Sequence, residues 1–484
     1  MPTERRGARD VTQFRLAPEV CKAGPFKGYA RLDWIHSAAR KRPAEKVHAL
    51  MHHFTVDNLR RAFQELDGSR APGIDRVTKQ EYKKQLQSNL EILQERIRKG
   101  GWRPRPSREV LIPKPQGGTR PLAIGCLEDK IVQLLTARIL EALYEPQFHR
   151  HSFGFRRGRS AHQAIARLYE VIEARSANAV VVEIDIEKFF NSIEHDRLLE
   201  ILGERIADPS FLRHIRRLLR CSVLHTDGKL AQTQTGTPQG SPVSPVLANI
   251  CLNAILDRWF QQEYAGKGEL VRYADDAIFV FTDRDAARRY ISDLEARMNL
   301  SGLKLNRDKC KVVAFSSRKP EGTFSFLGFS FYWGKNRSKR KVLKAKTNPK
   351  RLHQCMMAFE HWIKAWRHRK KLATLWEMAA AKLTGHYQYF GVAFNQAKLN
   401  HFYWNATQAL FKWLNRRSQK RSFTWERFMR RLQYEPLPKP PVAAELVDIT
   451  RNHGSVWNRK PKSRMRENRK SGSERSANLG LVFT

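Results

Sequence analysis

Cysteine is scarce and scattered in this chain. The six residues Cys21, Cys126, Cys221, Cys251, Cys310 and Cys355 stand far apart, and no two form a CxxC pair. That argues against a zinc ribbon or a Cys-rich finger and leaves no disulfide framework, which suits a reducing interior. Long apolar runs are missing too. No stretch reaches the roughly 18 apolar residues that span a bilayer, and the charged opening MPTERRGARD lacks the apolar core of a secretory leader. There is no internal repeat of solenoid length. Acidic residues are also in short supply: 47 Asp+Glu stand against 89 Lys+Arg, a formal net charge of +42. An excess of that size gathers polyanions and gives salt-sensitive, sequence-tolerant affinity for phosphate backbones. A membrane surface is the other polyanion a basic chain could seek, but no amphipathic helix flanked by lipid anchors stands out. The expectation is a soluble, cytoplasmic protein with no membrane association, found at the nucleoid when engaged with DNA.

The pattern along the chain is mixed. Residues 45–67 carry apolar positions at helical spacing, followed by the turn signal DGSRAPGID at 67–75. Residues 80–100 predict an amphipathic helix closed by Gly100-Gly101. REVLIPKPQGGTRPLAI, 108–124, predicts strand, Gly-rich hairpin, strand. Helices are expected over 128–144, 161–174 and 284–300. VVVEIDI, 180–186, has the pattern of a buried strand, and LVRYADDAIFVF, 270–281, is an apolar run, an acidic tip and a second apolar run. Strands are expected within 311–333. From about 345 to 433 the chain turns to long, basic, aromatic-rich helices that end at Pro436, Pro438, Pro440 and Pro441. The Ser- and Asn-containing basic segment after them predicts disorder in isolation.

Three carboxylates draw the eye: Asp185 at the end of the VVVEI run, and Asp275 and Asp276 at the hairpin tip. An Asp-Asp pair in a turn is common and usually only solvated. Here both apolar flanks would hold the pair in place, a costly arrangement without cations. A third carboxylate from a neighbouring strand would complete a site for two divalent ions. Magnesium suits such a site, because it takes few carboxylates and keeps positions for phosphate oxygens and water.

With these residues in view a family resemblance becomes specific. RYADD, 272–276, resembles the catalytic hairpin of reverse transcriptases, and EIDIEKFFNSIEHD, 183–196, the first catalytic aspartate motif of the same palm. GTPQGSPVSPVLANICLN, 236–253, LNRDKCKV, 305–312, and FSFLGF, 324–329, resemble the family's intervening, lysine-bearing and primer-grip motifs. HSFGFRRGRSAHQA, 151–164, resembles a fingers motif of group II intron reverse transcriptases. The motifs run in family order across roughly 45–440, so the chain is identified as resembling a bacterial group II intron-encoded reverse transcriptase and maturase.

The resemblance implies an α+β right-hand polymerase: fingers and palm with an antiparallel sheet, then an α-helical thumb and maturase domain. The expected divisions are a basic N-terminal extension at 1–44, fingers at 45–179, palm at 180–335, helical RNA-binding thumb at 336–440, and a basic tail at 441–484. It implies that Asp185, Asp275 and Asp276, with the backbone carbonyl of Ile186, hold two Mg²⁺ ions, Mn²⁺ being a possible substitute. Lys114 and Arg120 would clamp the incoming triphosphate. Phe190 would be the steric gate that rejects a 2′-OH, with Phe189 as the alternative. Gln239 would meet the incoming nucleotide or its template base, and Lys309 would approach the leaving pyrophosphate. Arg156, Arg157, Arg159 and His162 would contact template, and Tyr273, Leu327 and Gly328 the template–primer. Arg416, Arg417, Lys420 and Arg421 would face RNA from the thumb.

The implied partners are a group II intron RNA in a ribonucleoprotein, an RNA template with a DNA primer, dNTPs and target DNA; the oligomeric state is left open. The implied work is cDNA synthesis together with splicing and mobility of the intron. No cysteine follows Cys355 and the tail 441–484 has only His453 as a histidine, so no HNH-type endonuclease is expected there. Two other readings remain at this point. One is an RNA-binding maturase with a vestigial polymerase. The other is a domesticated reverse transcriptase serving phage defence or CRISPR spacer acquisition.

Overall fold

The structure is a computed structural model, and it describes residues 26–113, 118–336, 338–417 and 423–442. These fall into two compact units, one ending at Glu321 and the other starting at Gly322. Both mix helix and strand, the first around antiparallel pairs and the second dominated by helices, as an α+β fold requires.

Among the described residues the first unit holds eight strands: β1 (Ser107–Pro113), β2 (Thr119–Ile124), β3 (Val180–Ile184), β4 (Ser222–Leu224), β5 (Leu230–Gln232), β6 (Gly268–Tyr273), β7 (Asp276–Phe281) and β8 (Lys311–Ala314). Four of them form a fully antiparallel sheet in the order β6-β7-β3-β8. Val180, Val181, Val182 and Ile184 of β3 are buried, as are Ala277 to Phe281 of β7. Burial at consecutive positions means that both faces of the sheet are covered, which is why these runs do not alternate. One cover is the helix Arg284–Leu300, whose Tyr290 packs against Phe260, Phe279 and Phe281. The other strands form a sheet in the order β2-β1-β4-β5, in which β1 and β2 are the expected hairpin around the Gly-rich turn.

Residues 26–44 are not a loose extension. Phe26, Tyr29, Leu32, Ile35 and Ala39 are buried, the last three on the inner face of the helix Leu32–Lys41. These five buried apolar side chains make the segment part of the core; the charge at Arg40, Lys41 and Arg42 hid that from composition alone. The rest of the N-terminal segment, 1–25, lies outside the described residues, as does the tail from 443 onward.

The second unit contains β9 (Phe324–Phe326), β10 (Phe329–Lys335) and β11 (Lys341–Thr347) as an antiparallel sheet, followed by the helices Pro349–Trp366, Leu372–Phe390, Gln396–Leu414 and Trp425–Tyr434. The boundary at 321/322 differs from the expected palm end at 335. The reason is local: β9 and β10 bond to each other and to β11, and Phe329 packs on Tyr389 and Phe390 of the second helix. Many aromatics of this unit are core, including Phe359, Trp376, Phe390, Phe402 and Phe428, while Phe394, Trp404, Trp425 and Tyr434 are exposed. Among the described residues no helix is long and apolar enough to cross a membrane.

Candidate active site

The hairpin β6–β7 turns through two residues, since Tyr273 pairs directly with Asp276 and leaves Ala274 and Asp275 at the tip. Ala274 lies in the left-handed region at φ 58°, a conformation that costs a non-glycine residue about 1–2 kcal/mol. A two-residue hairpin turn calls for it, and the surroundings hold it. Arg272 donates to the Ala274 carbonyl at 2.8 Å, and Gly154 lies so close to the Ala274 backbone that a Cβ there would overlap it. Arg272 itself is fully buried and paired with fully buried Asp257 through two contacts of 2.7 and 2.5 Å, with a third bond to Asn249 at 3.0 Å. Asp257 reaches it from the π-helical turn Asn253–Asp257. Asn249 in turn donates to the Gly154 carbonyl, and the backbones of 151–153 and Arg272 bond at 3.0 and 2.8 Å. The catalytic-type hairpin is thus braced from behind by a buried ionic network.

The β3–β7 register sets Ile184 opposite Ala277, which brings Asp185 level with Asp276. Lys309 places its Nζ 3.0 Å from Asp185 Oδ2. Asp275 is raised above the usual carboxylate range, first by burial and then by the charge of Asp185, with Arg120 and Arg272 opposing. Asp276 is pushed up to about 7 by burial and by repulsion from Asp275 and Asp185, with Lys309 pulling the other way. The Asp276 side chain still opens to water at the sheet edge, and that water screens part of the repulsion. Beside Asp185, Glu187 donates to the Lys304 carbonyl at 2.9 Å and Asn306 to the Asp185 carbonyl at 2.8 Å, flanking the antiparallel pair Ile186–Leu305. In a pair flanked this way each residue turns its own carbonyl off the partner strand, so that of Ile186 faces the β7 side. The three carboxylates share one sheet edge without closing on one point: among the described residues no three of His, Cys, Asp or Glu are grouped to hold an ion.

The PQG loop lies against this edge. Thr237 donates to the Phe190 carbonyl at 2.7 Å, Gln239 Nε2 donates to Asn191 at 3.1 Å, and Ala123 of β2 donates to the Gln239 carbonyl at 2.9 Å. Of the two adjacent rings, Phe189 is core and Phe190 is half-buried, set edge-on to Phe155 at 6.1 Å and to Phe189 at 5.6 Å.

Residues 112–331 match the family described as reverse transcriptase (RNA-dependent DNA polymerase). Protein YkfC of Escherichia coli is 31% identical over 280 residues, covering 51% of this chain and 73% of that protein. The chain belongs to the reverse transcriptase family. Within it, the group II intron-encoded protein LtrA of Lactococcus lactis is 35% identical over 34% of this chain and 27% of its own length. An uncharacterized 91 kDa protein in a cob intron of Schizosaccharomyces pombe is 41% identical over 34% and 20%. The match thus spans about a quarter or less of these two intron proteins.

Other expected residues of this reverse transcriptase separate into groups. Arg120 sits exposed on β2, near enough to act on the charge of Asp275. Lys114, Lys420 and Arg421 lie outside the described residues. Arg156 and Arg157 do not face an open template path. Arg156 is buried, paired with Glu145 at 2.8 Å and bonded to the carbonyls of His149 and Ser152. Arg157 is paired with Glu141 at 3.0 Å and stands 3.7 Å from Glu65. Both guanidiniums are turned to carboxylates of the protein itself; those beside Arg157 are shared with Arg138, which pairs with Glu65 and Glu141 at 2.8 Å each. Arg159 is exposed over the Phe153 ring, and His162 lies in the first turn of the helix Ala161–Ala174. Tyr273 is half-buried on β6.

In the second unit Leu327 and Gly328 make the β9–β10 turn, both at positive φ, with the Leu327 carbonyl accepting from Tyr389 at 3.0 Å. Arg416 lies over the Trp413 ring, as do Lys364, Arg367 and Lys412, all at 4.9–5.4 Å, while Arg417 donates to the Lys370 carbonyl. The motif reading did not foresee the parts played by Arg272, Asp257, Asn249 and Gly154. The one available signal was a charged residue inside an apolar strand run, which needs a buried partner somewhere.

Proposed function

We propose that this reverse transcriptase copies RNA into DNA from a primer 3′-end by two-metal nucleotidyl transfer, and that it serves the splicing and mobility of a group II intron RNA bound as a ribonucleoprotein. The alignment of Asp185 with Asp276 across the β3–β7 register, with Asp275 at the adjoining tip, carries the reading. The donor chemistry fits magnesium: three hard carboxylates and a carbonyl turned to the same side, with two of the acids disfavoured as bare anions where they stand. Small side-chain rotations would have to close the set. Bound there, two Mg²⁺ ions, or Mn²⁺ in their place, would activate the primer hydroxyl and stabilise the departing pyrophosphate.

The chain's own residues do the rest. Arg120 pairs with the triphosphate of a dNTP by charge-assisted hydrogen bonds. The Phe190 ring, steadied by Phe155 and Phe189, fills the space a ribose 2′-OH would need. Gln239, held through its backbone on β2, meets the nascent base pair. Lys309 leaves Asp185 to donate a proton toward pyrophosphate. Arg159 and His162 approach the template strand, Tyr273, Leu327 and Gly328 the template–primer, and Arg416 and Arg417 the RNA backbone. With no endonuclease expected, the primer used at the target DNA during mobility comes from another source, such as a replication fork.

Primer extension on an RNA template with dNTPs and Mg²⁺ tests the reading. The wild-type chain should extend. Asp275→Asn should lose about 4 kcal/mol of transition-state stabilisation or more, roughly a thousandfold in rate, while RNA binding stays near wild type. An inactive wild type would favour a maturase with a vestigial polymerase; an active Asp275→Asn would end the metal assignment.

A further inference from the structure

The helix Pro209–Leu219 divides into two faces. Phe211, His214, Ile215, Leu218 and Leu219 are buried, while Arg213, Arg216 and Arg217 lie on the other side, with Arg220 just past the end. These four arginines and Arg103, from the loop after Trp102, line a cleft of about 370 Å³. Arginines three and four positions apart on a helix repel one another, so this arrangement is unfavourable unless something negative visits it. Among the described residues only Arg216 of the five forms an ion pair, with exposed Asp196 at 3.3 Å. Three of the others are aimed by neutral groups: Arg103 and Arg217 both donate to the Gly100 carbonyl, at 2.8 and 3.0 Å, and Arg213 to Ser210. Burial, then the charges of Arg103 and Arg213, lower the hold of Arg217 on its proton.

A second cleft of about 420 Å³ shares Arg213 and Arg217 as its wall and is otherwise lined mainly by apolar and aromatic groups, among them Met51, Phe54 and Trp102. The Phe54 and Trp102 rings are only 2% and 1% exposed, so the clefts offer guanidiniums for phosphates rather than ring faces for bases, a row of charge that a flexible single strand can follow with its backbone. Ser222 and Gln232 on the wall of the arginine cleft are neutral hydrogen-bonding groups within reach of a ribose 2′-OH. The place is apart from the polymerisation edge. Arg120 is on β2 and Gln232 on β5, the two outer strands of the order β2-β1-β4-β5, three strand spacings or about 14 Å across.

We infer that the arginine face of the 209–219 helix is a second RNA-binding site, which holds the phosphates of an unpaired RNA segment while template and primer occupy the catalytic edge. This rests on the RNA-copying reading above and names where a second RNA strand is gripped.

The test uses the full chain with its polymerisation site filled by a template–primer, stalled with a chain terminator and the next dNTP. A short thiouridine-labelled single-stranded RNA is then offered and photo-crosslinked. Crosslinks should fall within 209–222. The Arg213→Gln/Arg217→Gln double variant should lose them, and its log–log salt slope for the second RNA should fall by about 1.4, about 0.7 per phosphate contact. Arg213→Lys/Arg217→Lys should keep the slope. Arg103→Gln, off the helix, should weaken binding in the same direction, which guards against an effect of helix unfolding. Primer extension at saturating template–primer should be unchanged in all of them. An unaltered slope in the Gln double variant overturns the site, as does a stalled complex that takes no second RNA. Displacement by duplex DNA as effective as by RNA overturns the single-strand assignment. A wild type that cannot extend primers would instead sink the polymerase reading and leave the crosslinking result standing.

Discussion

The β6–β7 edge and the 209–219 helix face both crowd like charges, one acidic and one basic, and the fold treats them in opposite ways. The acids sit on paired strands, their turn is clamped by a buried ionic network, and their separation is set by register. The arginines project on long side chains from one helix face, and Arg213 and Arg217 are steered by neutral hydroxyl and carbonyl groups. Chemistry on a reacting phosphate needs atoms in fixed places, whereas holding a strand by its backbone needs only charge of the right sign within reach. Precision is bought with buried groups on one side, and tolerance comes from exposed ones on the other.

The comparison breaks most visibly at Arg272. Arg272→Met would leave Asp257 buried without its partner, a change that costs about 3–5 kcal/mol. Thermal unfolding should show it, and adding Asp257→Leu should recover a large part. Next comes the gate. Phe190→Val should raise ribonucleotide incorporation roughly 10–100-fold relative to deoxynucleotide. Single-nucleotide extension with matched rNTP and dNTP measures it, and the same gain from Phe189→Val instead would move the gate to a ring that is core in this structure.

An effect spread over several pH units concerns the ground beneath the arginine face. His214 is buried between Phe54 and Trp102, bonded to Thr136 at 3.1 Å, and burial pushes it down to about 3. It stays neutral when folded and takes a proton when unfolded below its ordinary value of 6.5. Its contribution to stability is therefore complete above pH 6.5 and falls with pH until about 3, at up to about 1.4 kcal/mol per pH unit. Denaturant unfolding across that range should show the slope, reduced in His214→Gln. The smallest effect sharpens the contrast with Arg272. Arg216→Gln removes an ion pair exposed on both sides and should change stability by less than about 1 kcal/mol.

The catalytic hairpin was legible because its signal is contiguous: apolar run, acidic tip, apolar run. The partnership of Asp185 with that tip followed from motif order, and the strand register supplies the physical link. Phe190 could be preferred over Phe189 only by resemblance, and the buried ring of Phe189 adds the geometric reason. Arg156 and Arg157 look in sequence like any exposed basic pair. Their carboxylates, Glu145, Glu141 and Glu65, come from other segments, and no local pattern reveals such a pairing. Arg272 was hidden the same way, since its partner Asp257 reaches it only through a π-helical turn. The β4–β5 pair is too short to leave a periodic trace. The helix Leu32–Lys41 was masked by surface charge, although its apolar positions fall on one face.

The two-residue turn itself calls for a positive φ at Ala274, and Gly154, from a stretch of chain made more than a hundred residues earlier, lets the 151–154 segment come up against that tip. Any Cβ at 154 would have to displace the Ala274 backbone. The place of the acidic tip is therefore tied to the absence of one side chain far away in the sequence.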